Sequence, residues 1–241
     1  MMGVNRVFIV GDKHGDWSFL PDWCKNNNTT TQDILITLGD SGILYGEKES
    51  FREQFLKKII CDCPITVLDL QGNHSCPPED RKGYVKTLMK VDGEMIGMVY
   101  HNFDYPNIYH PINGNTYYIK DKTFLCVGGA ASIDKEIRQM MGYYWTEHEV
   151  INPQDMNNIQ HQIHTRHFDF VITHTCPFED MPRDLFMAGV DQSKVDNRME
   201  FFLSKLKKDM KYDMWFFDHF HDDRVISGKM KMVHNEIVQV V

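Results

Sequence analysis

The sequence predicts an α/β protein, and three observations carry that reading. Over residues 4–70, apolar runs of strand length alternate with segments of helical character. Three of these runs end in a glycine turn that bears Asp or Asn. The middle of the chain then changes to short, closely spaced β runs, which adds hairpin structure to the alternating core.

Residues 4–10 alternate into an apolar run, read as a buried strand, and Gly11-Asp12 follows as a turn. A short helical stretch covers 17–24, and the polar tract 26–31 suits a loop. Residues 33–38 repeat the strand pattern and exit through Gly39-Asp40. An amphipathic helix is expected over 51–60, with Phe51, Phe55, Leu56, Ile59 and Ile60 on one face. Residues 65–70 are the third strand, exiting through Gly72-Asn73-His74. Strand, helix, strand, helix, strand argues a βαβ core.

Residues 95–100, 115–120 and 123–127 are short β runs, the last two joined through Lys120-Asp121-Lys122 as a hairpin. Gly128-Gly129-Ala130 breaks the pattern, and 132–141 is helical in character. Asn152-Pro153 opens a helix in which Met156, Ile159 and Ile163 recur at helical spacing. Residues 168–173 form a strand ending at His174. A helix over 194–210, with Ser193 as N-cap, shows Val195, Met199, Phe202, Leu203 and Leu206 on one face. Residues 214–217 form a strand ending in Asp218-His219-Phe220-His221, and 224–241 alternate as a β ribbon. With no repeat, low-complexity tract or linker, 1–241 reads as a single domain.

Composition narrows the function classes. The chain is 42% hydrophobic, 25% charged and carries a net charge of −8. That balance disfavours tight, sequence-independent binding to long nucleic acid, which needs many Lys and Arg contacts to phosphates. It leaves a small phosphate ligand open, because bound metal supplies local positive charge. None of the six cysteines forms a CxxC pair, and Cys61-Asp62-Cys63 is too short for a zinc knuckle. The first ten residues hold no long apolar stretch, so neither signal peptide nor membrane span is expected. The expectation is a cytoplasmic protein with reduced thiols.

The chemistry sits at the strand exits. Asp12, His14, Asp40, Asn73, His174, His219 and His221 each follow an apolar run. Any one of the Asp or Asn residues alone would be ordinary turn chemistry. Together, at the ends of successive strands, they form a metal-ligand series, because α/β folds place chemistry on the loops after their strands. Attack on a phosphate ester needs an activated water and charge relief on the phosphoryl oxygens, which two divalent ions about 3.5–4 Å apart supply together. Asp40 suits the bridging carboxylate, since it lies between the two early groups. Imidazoles with one amide oxygen favour a transition metal, manganese first, with Fe, Zn, Ni or Co also compatible. His74 adjoins the ligand Asn73, and its ring can turn toward substrate as a general acid.

The motifs GDKHG, LGD, GNH, THT and DHFH, spread from Asp12 to His221, resemble those of the calcineurin-like metallophosphoesterase superfamily. The resemblance implies a four-layer α/β/β/α sandwich with a dinuclear centre. It places Asp12, His14, Asp40 and His221 on one metal, and Asp40, Asn73, His174 and His219 on the other, with His74 as general acid. The reaction implied is hydrolysis of phosphate mono- or diesters by a hydroxide bridging the two ions. The segment from Gly128 to Lys135, followed by Arg138 and Trp145, is similar to a run in a bacterial and phage-type subgroup. Three departures stand out. Ser75 follows the motif His where a carboxylate is usual, the second motif lacks the second Asp of the protein phosphatases, and Asp218 replaces Gly. Asp218 is expected to accept from a ligand imidazole or to face solvent.

Lys13, Arg81 and Arg138, with Lys135 and Arg183, are the candidates for touching substrate phosphate, although solvated surface charge accounts for each. Tyr143, Tyr144 and Trp145 offer rings for stacking or for packing. His101, His110, His148, His161, His164, His167 and His234 are expected to be surface or helix histidines without a role. The expected partner is a small phosphoester, nucleotides included, with the oligomeric state open. Two other classes fit the same residues: a non-catalytic scaffold of this fold, and a nuclease acting on polynucleotides.

Overall fold

Three short strands buried along their whole length, β1 (Val7–Val10), β2 (Ile34–Thr37) and β3 (Thr66–Asp69), build the frame of the site. Strands covered on both faces read as unbroken apolar runs, and these do. They pair in parallel, with Val10 beside Thr37 and Thr37 beside Asp69, so their C-terminal ends emerge along one edge. The computed structural model describes Val4 and residues 6–241. Residues 1–3 and Asn5, which belong to the expected N-terminal stretch and first strand, lie outside the described residues.

The crossovers are α1 (Leu20–Asn27) and α2 (Phe51–Cys61). α1 runs past the predicted end, because Asn28 can take the left-handed conformation that closes it, at φ 48°. At the start of α2, Ser50 Oγ accepts from the Glu53 amide and Glu53 returns to the Ser50 amide, a capping box. Its buried face is Glu53, Leu56, Lys57 and Ile60, while Phe51 and Phe55 are 84% and 61% exposed, which corrects the predicted face. Paired charges carry polar groups inward: Glu53 holds Arg81, and Glu49 holds Lys57.

The middle of the chain divides between two sheets. β4 (Val85–Val91), β5 (Glu94–His101) and β6 (Ile108–Pro111) extend the first sheet, antiparallel to one another. The sequence reading missed β4 and β6. β7 (Thr116–Ile119) and β8 (Lys122–Val127) form the expected hairpin but belong to a second sheet. That sheet continues with β9 (His167–Thr173) and β10 (Lys211–Phe217), parallel to β8 and to each other. β11 (Arg224–Ser227) and β12 (Met230–Met232) close it, whereas β13 (Ile237–Gln239) crosses back to pair with β1, so the C-terminal segment is not one ribbon. The orders are β13-β1-β2-β3-β6-β5-β4 and β11-β12-β10-β9-β8-β7.

The remaining helices are α3 (Lys135–Met141), α4 (Pro153–Ile163), capped by Asn152, and α5 (Arg198–Asp209). α5 starts later than predicted, after a 3-10 turn at Gln192–Lys194, and Asn197 rather than Ser193 occupies its N-cap position. The described residues thus form a mixed α/β protein of two mixed sheets and five helices. One core joins the sheets, with Ile9, Ile36 and Leu68 against Phe124, Ile172 and Phe216. A second lies between the first sheet and α1 and α2. A third lies between the second sheet and α4 and α5. Among the described residues no helix is long and apolar enough to cross a membrane.

Candidate metal centre

The donors converge where the two sheets meet, because β1, β2 and β3 in one sheet and β9 and β10 in the other release their ligand loops together. Asp12 follows β1, Asp40 follows β2, Asn73 and His74 follow β3, His174 follows β9, and His219 and His221 follow β10. The backbone bends hard at these points. His14 (φ 44°), Asp40 (44°), His219 (67°) and His221 (58°) all sit in the left-handed region, which costs a non-glycine residue about 1–3 kcal/mol. Such strain persists where surrounding structure holds it, and four donors share it. Two glycines give the loops room. Gly39 adopts φ 99°, and a Cβ there would meet the His174 ring; a Cβ on Gly72 would run into the Asp40 carboxylate.

Two groups of donor atoms lie close enough to share an ion: Asp12 with His14 and His221, and Asp12 with Asp40 and His174. In the first, His221 Nε2 is 3.0 Å from Asp12 Oδ2 and 3.3 Å from His14 Nε2. In the second, His174 Nε2 is 3.5 Å from Asp40 Oδ2, 2.8 Å from Asn73 Oδ1 and 3.2 Å from His219 Nδ1. Ligand atoms about 2 Å from one ion lie roughly 3–3.5 Å from one another, so these spacings suit shared coordination. All seven predicted ligands are brought together. Asp12 belongs to both groups and Asp40 to one, whereas the sequence reading made Asp40 the shared carboxylate.

Proton accounting supports a cation here. His174 Nδ1 donates to the Leu38 carbonyl at 2.7 Å, which leaves a lone pair on Nε2 in the neutral ring. That lone pair faces an amide oxygen, a carboxylate and a second imidazole, and only a proton or a metal ion between them relieves the contact. Asp12 Oδ1 is buried without a hydrogen-bond partner, and a cation beside it would satisfy it. The donor set of imidazole, carboxylate and amide oxygen fits a first-row transition metal.

In the metal-free protein the field does what a cation would otherwise do. Burial opposes charge on His174, but Asp40 and Asp12 lift it to about 10. Burial raises Asp12 to about 7 against the pull of His174 and His221. Burial also opposes ionisation of Asp40, yet His174 and the His74 amide hold it below the usual carboxylate range. His219 is pushed down to about 3 by burial and by neighbouring His174, so it stands neutral. Binding a metal at pH 7 must therefore expel the His174 proton and part of one from Asp12. We expect affinity to rise up to about tenfold per pH unit for each proton expelled between pH 6 and 8. Calorimetry in two buffers of different ionisation heat reads the proton count; zero protons released would contradict the assignment of His174.

Supporting residues hold the donors. Asn73 Nδ2 donates to Ser132 Oγ at 3.0 Å, which turns its Oδ1 toward His174. Ser132 in turn donates to Glu149 at 2.6 Å and accepts from Arg138 Nη1 at 3.1 Å. The 128–145 segment thus orients the Asn73 side chain. Asp218 is fully buried; its Oδ2 accepts from the Asp12 amide at 2.7 Å and lies 2.8 Å from His234 Nδ1. It neither faces solvent nor takes a ligand imidazole. His101 and His110 are buried, which corrects the expectation of surface or helix histidines, and His234 is held by Asp218. Among ring neighbours of the donors, His234 packs 4.9 Å from His221.

A cavity of about 450 Å³ opens at these donors, and His74 lines it. His74 Nε2 lies 4.0 Å from Asp40 Oδ2, and burial holds its imidazole below the ordinary value. The basic candidates for substrate contact are placed elsewhere, because internal acceptors and rings claim them. Lys13 Nζ donates to the His234 carbonyl, Arg81 is buried against Glu53 and Gly46, and Arg138 is buried against Ser132 and Tyr144. Lys135 lies over Trp145, and Arg183 over Phe178. Compared with models of known protein families and with curated proteins, this chain matches none of them.

Proposed function

We propose that this protein is a metal-dependent phosphoesterase of the calcineurin-like metallophosphoesterase type, with the sheets and helices stacked as an α/β/β/α sandwich. The observation that supports it most is the convergence of seven donors from five strand-exit loops beside a cavity lined by His74. Two divalent ions, manganese foremost, would supply Lewis acidity to a phosphoryl oxygen and to an attacking water. Asp12, His14 and His221 would hold one, and Asp40, Asn73, His174 and His219 the other, with Asp12 within reach of both.

The chain's own side chains then position and move protons. The Ser132 contact keeps the Asn73 amide from flipping. The His74 amide, donating to Asp40 Oδ1 at 2.8 Å, ties the general-acid loop to the ligand loop. His74 is near-neutral when the cavity is empty of anion, and a phosphate dianion beside it favours the imidazolium that can protonate a leaving oxygen. Among the described residues no Lys or Arg lines the cavity, so charge relief would fall to the metals.

Initial rates on p-nitrophenyl phosphate and bis-p-nitrophenyl phosphate, with Mn²⁺ and after EDTA, test the reading and separate monoester from diester activity. Turnover unaffected by chelator would refute it. His74→Asn should retain both metals and lose roughly 10²–10⁴-fold in rate on alkyl esters, with a smaller loss on p-nitrophenyl esters, whose leaving group needs no proton. Loss of metal from that variant would remove the general-acid role.

A further inference from the structure

The cavity also specifies the organic half of the ester. Building on the phosphoesterase reading, we propose that the site takes esters of a single phosphate on a bulky apolar group and disfavours those bearing a second phosphate. Its volume of about 450 Å³ lies within the range of small-molecule sites, about 300–1,000 Å³. One end is the donor cluster. Much of the remaining lining is apolar and includes Ile133, Ile137, Leu185, Phe186, Val190 and Phe220, the last beside the donor His219. Ile133 is 50% and Ile137 60% exposed, so apolar surface at the mouth stands in water until a ligand covers it.

Charge points the same way. Outside the donor cluster, the charged residues lining the cavity are the carboxylates Asp134, Asp196 and Glu200, and no Lys or Arg lines it. The cations nearby are already engaged: Arg138 with Ser132, Lys135 over Trp145, Lys194 with Asp191 at 3.6 Å, and Arg198 with Asp196 at 2.6 Å. A first phosphate is met by the metals. A second would lie against carboxylates and apolar side chains, losing hydration without gaining a counter-charge. An aryl or alkyl group in the same place buries the exposed apolar wall.

Phosphonates, which resist hydrolysis, test this by binding alone. Calorimetric titration of the Mn²⁺-loaded protein would compare methylphosphonate, benzylphosphonate and p-xylylenediphosphonate, which differs from the second by one more phosphonate. We expect benzylphosphonate to bind at least about tenfold tighter than either of the others. In Ile137→Lys, at an exposed position where folding is not at stake, the gap between benzylphosphonate and the diphosphonate should close to within about threefold. Equal affinity for methyl- and benzylphosphonate, or tighter binding of the diphosphonate by the unaltered protein, would overturn the proposal. Turnover of phenyl phosphate by the same preparation is a separate readout. Benzyl selectivity without turnover would remove the phosphoesterase reading and keep the cavity's selectivity; turnover without selectivity would do the reverse.

Discussion

Asp40→Asn should cost the protein tight binding of one metal. Turnover should drop by more than the roughly 10–100-fold that loss of an outer partner brings. The change keeps size and an oxygen that can still accept the His74 amide, now 2.8 Å away. It removes the negative charge 3.5 Å from His174 Nε2, the charge that balances a cation among otherwise neutral donors. The effect falls on affinity and rate together because Asp40 also lines the cavity. Metal content by elemental analysis after gel filtration, alongside rates on the two nitrophenyl esters, reads both. A variant with two metals and full activity would take Asp40 out of the site. Asp12→Asn is the sharper control on sharing, since Asp12 touches both donor groups and should lose both ions.

Manganese should raise the melting temperature of the metal-free protein by about 5–10 °C at a hundredfold excess over its dissociation constant. Linkage gives about 2.7 kcal/mol at that excess, and a chain of this length shifts about 2–4 °C per kcal/mol. The sign with pH is set by His174. Its folded value of about 10 exceeds the unfolded 6.5, so its contribution to metal-free stability is complete below 6.5 and is lost as pH rises toward 10. His219 acts in the opposite sense: its folded value of about 3 means that metal-free stability falls as pH drops from 6.5 toward 3. Because metal must displace the His174 proton, the manganese-induced shift should grow from pH 6 to pH 8. Scanning fluorimetry at those two values checks it, and a shift that shrinks toward pH 8 would argue that the ion sits elsewhere.

The positions of the candidate donors are legible in the sequence because each is tied to a local rule. A buried parallel strand reads as an unbroken apolar run, and the glycine after it marks a turn, so Asp12, Asp40 and Asn73 could be placed at strand exits without knowing the fold. β4 and β6 are not legible: β4 exposes Val85, Lys86 and Leu88 and buries only Met89 and Val91, and β6 is four residues long with a proline. The predicted face of α2 fails because apolar spacing alone does not say which stripe turns inward. Phe51 and Phe55 point to water, while Glu53 and Lys57 go inward with Arg81 and Glu49 as partners. The same limit hid Arg81, since a cation near the site in sequence says nothing of the carboxylate waiting for it 28 positions away. Ser132 and Asp218 depend on contacts 59 and 206 residues distant, which no local pattern encodes.

The donors lie on loops from both sheets, and the first and last of them, Asp12 and His221, are separated by 209 residues. An ion held between them would therefore act as a long-range staple. It closes nearly the whole chain into one loop without a covalent bond, and it does so in a protein whose six cysteines are all free. A coordination shell is directional. With it in place, the two sheets gain a fixed register at one edge, and peeling either sheet away means surrendering ligands from the other.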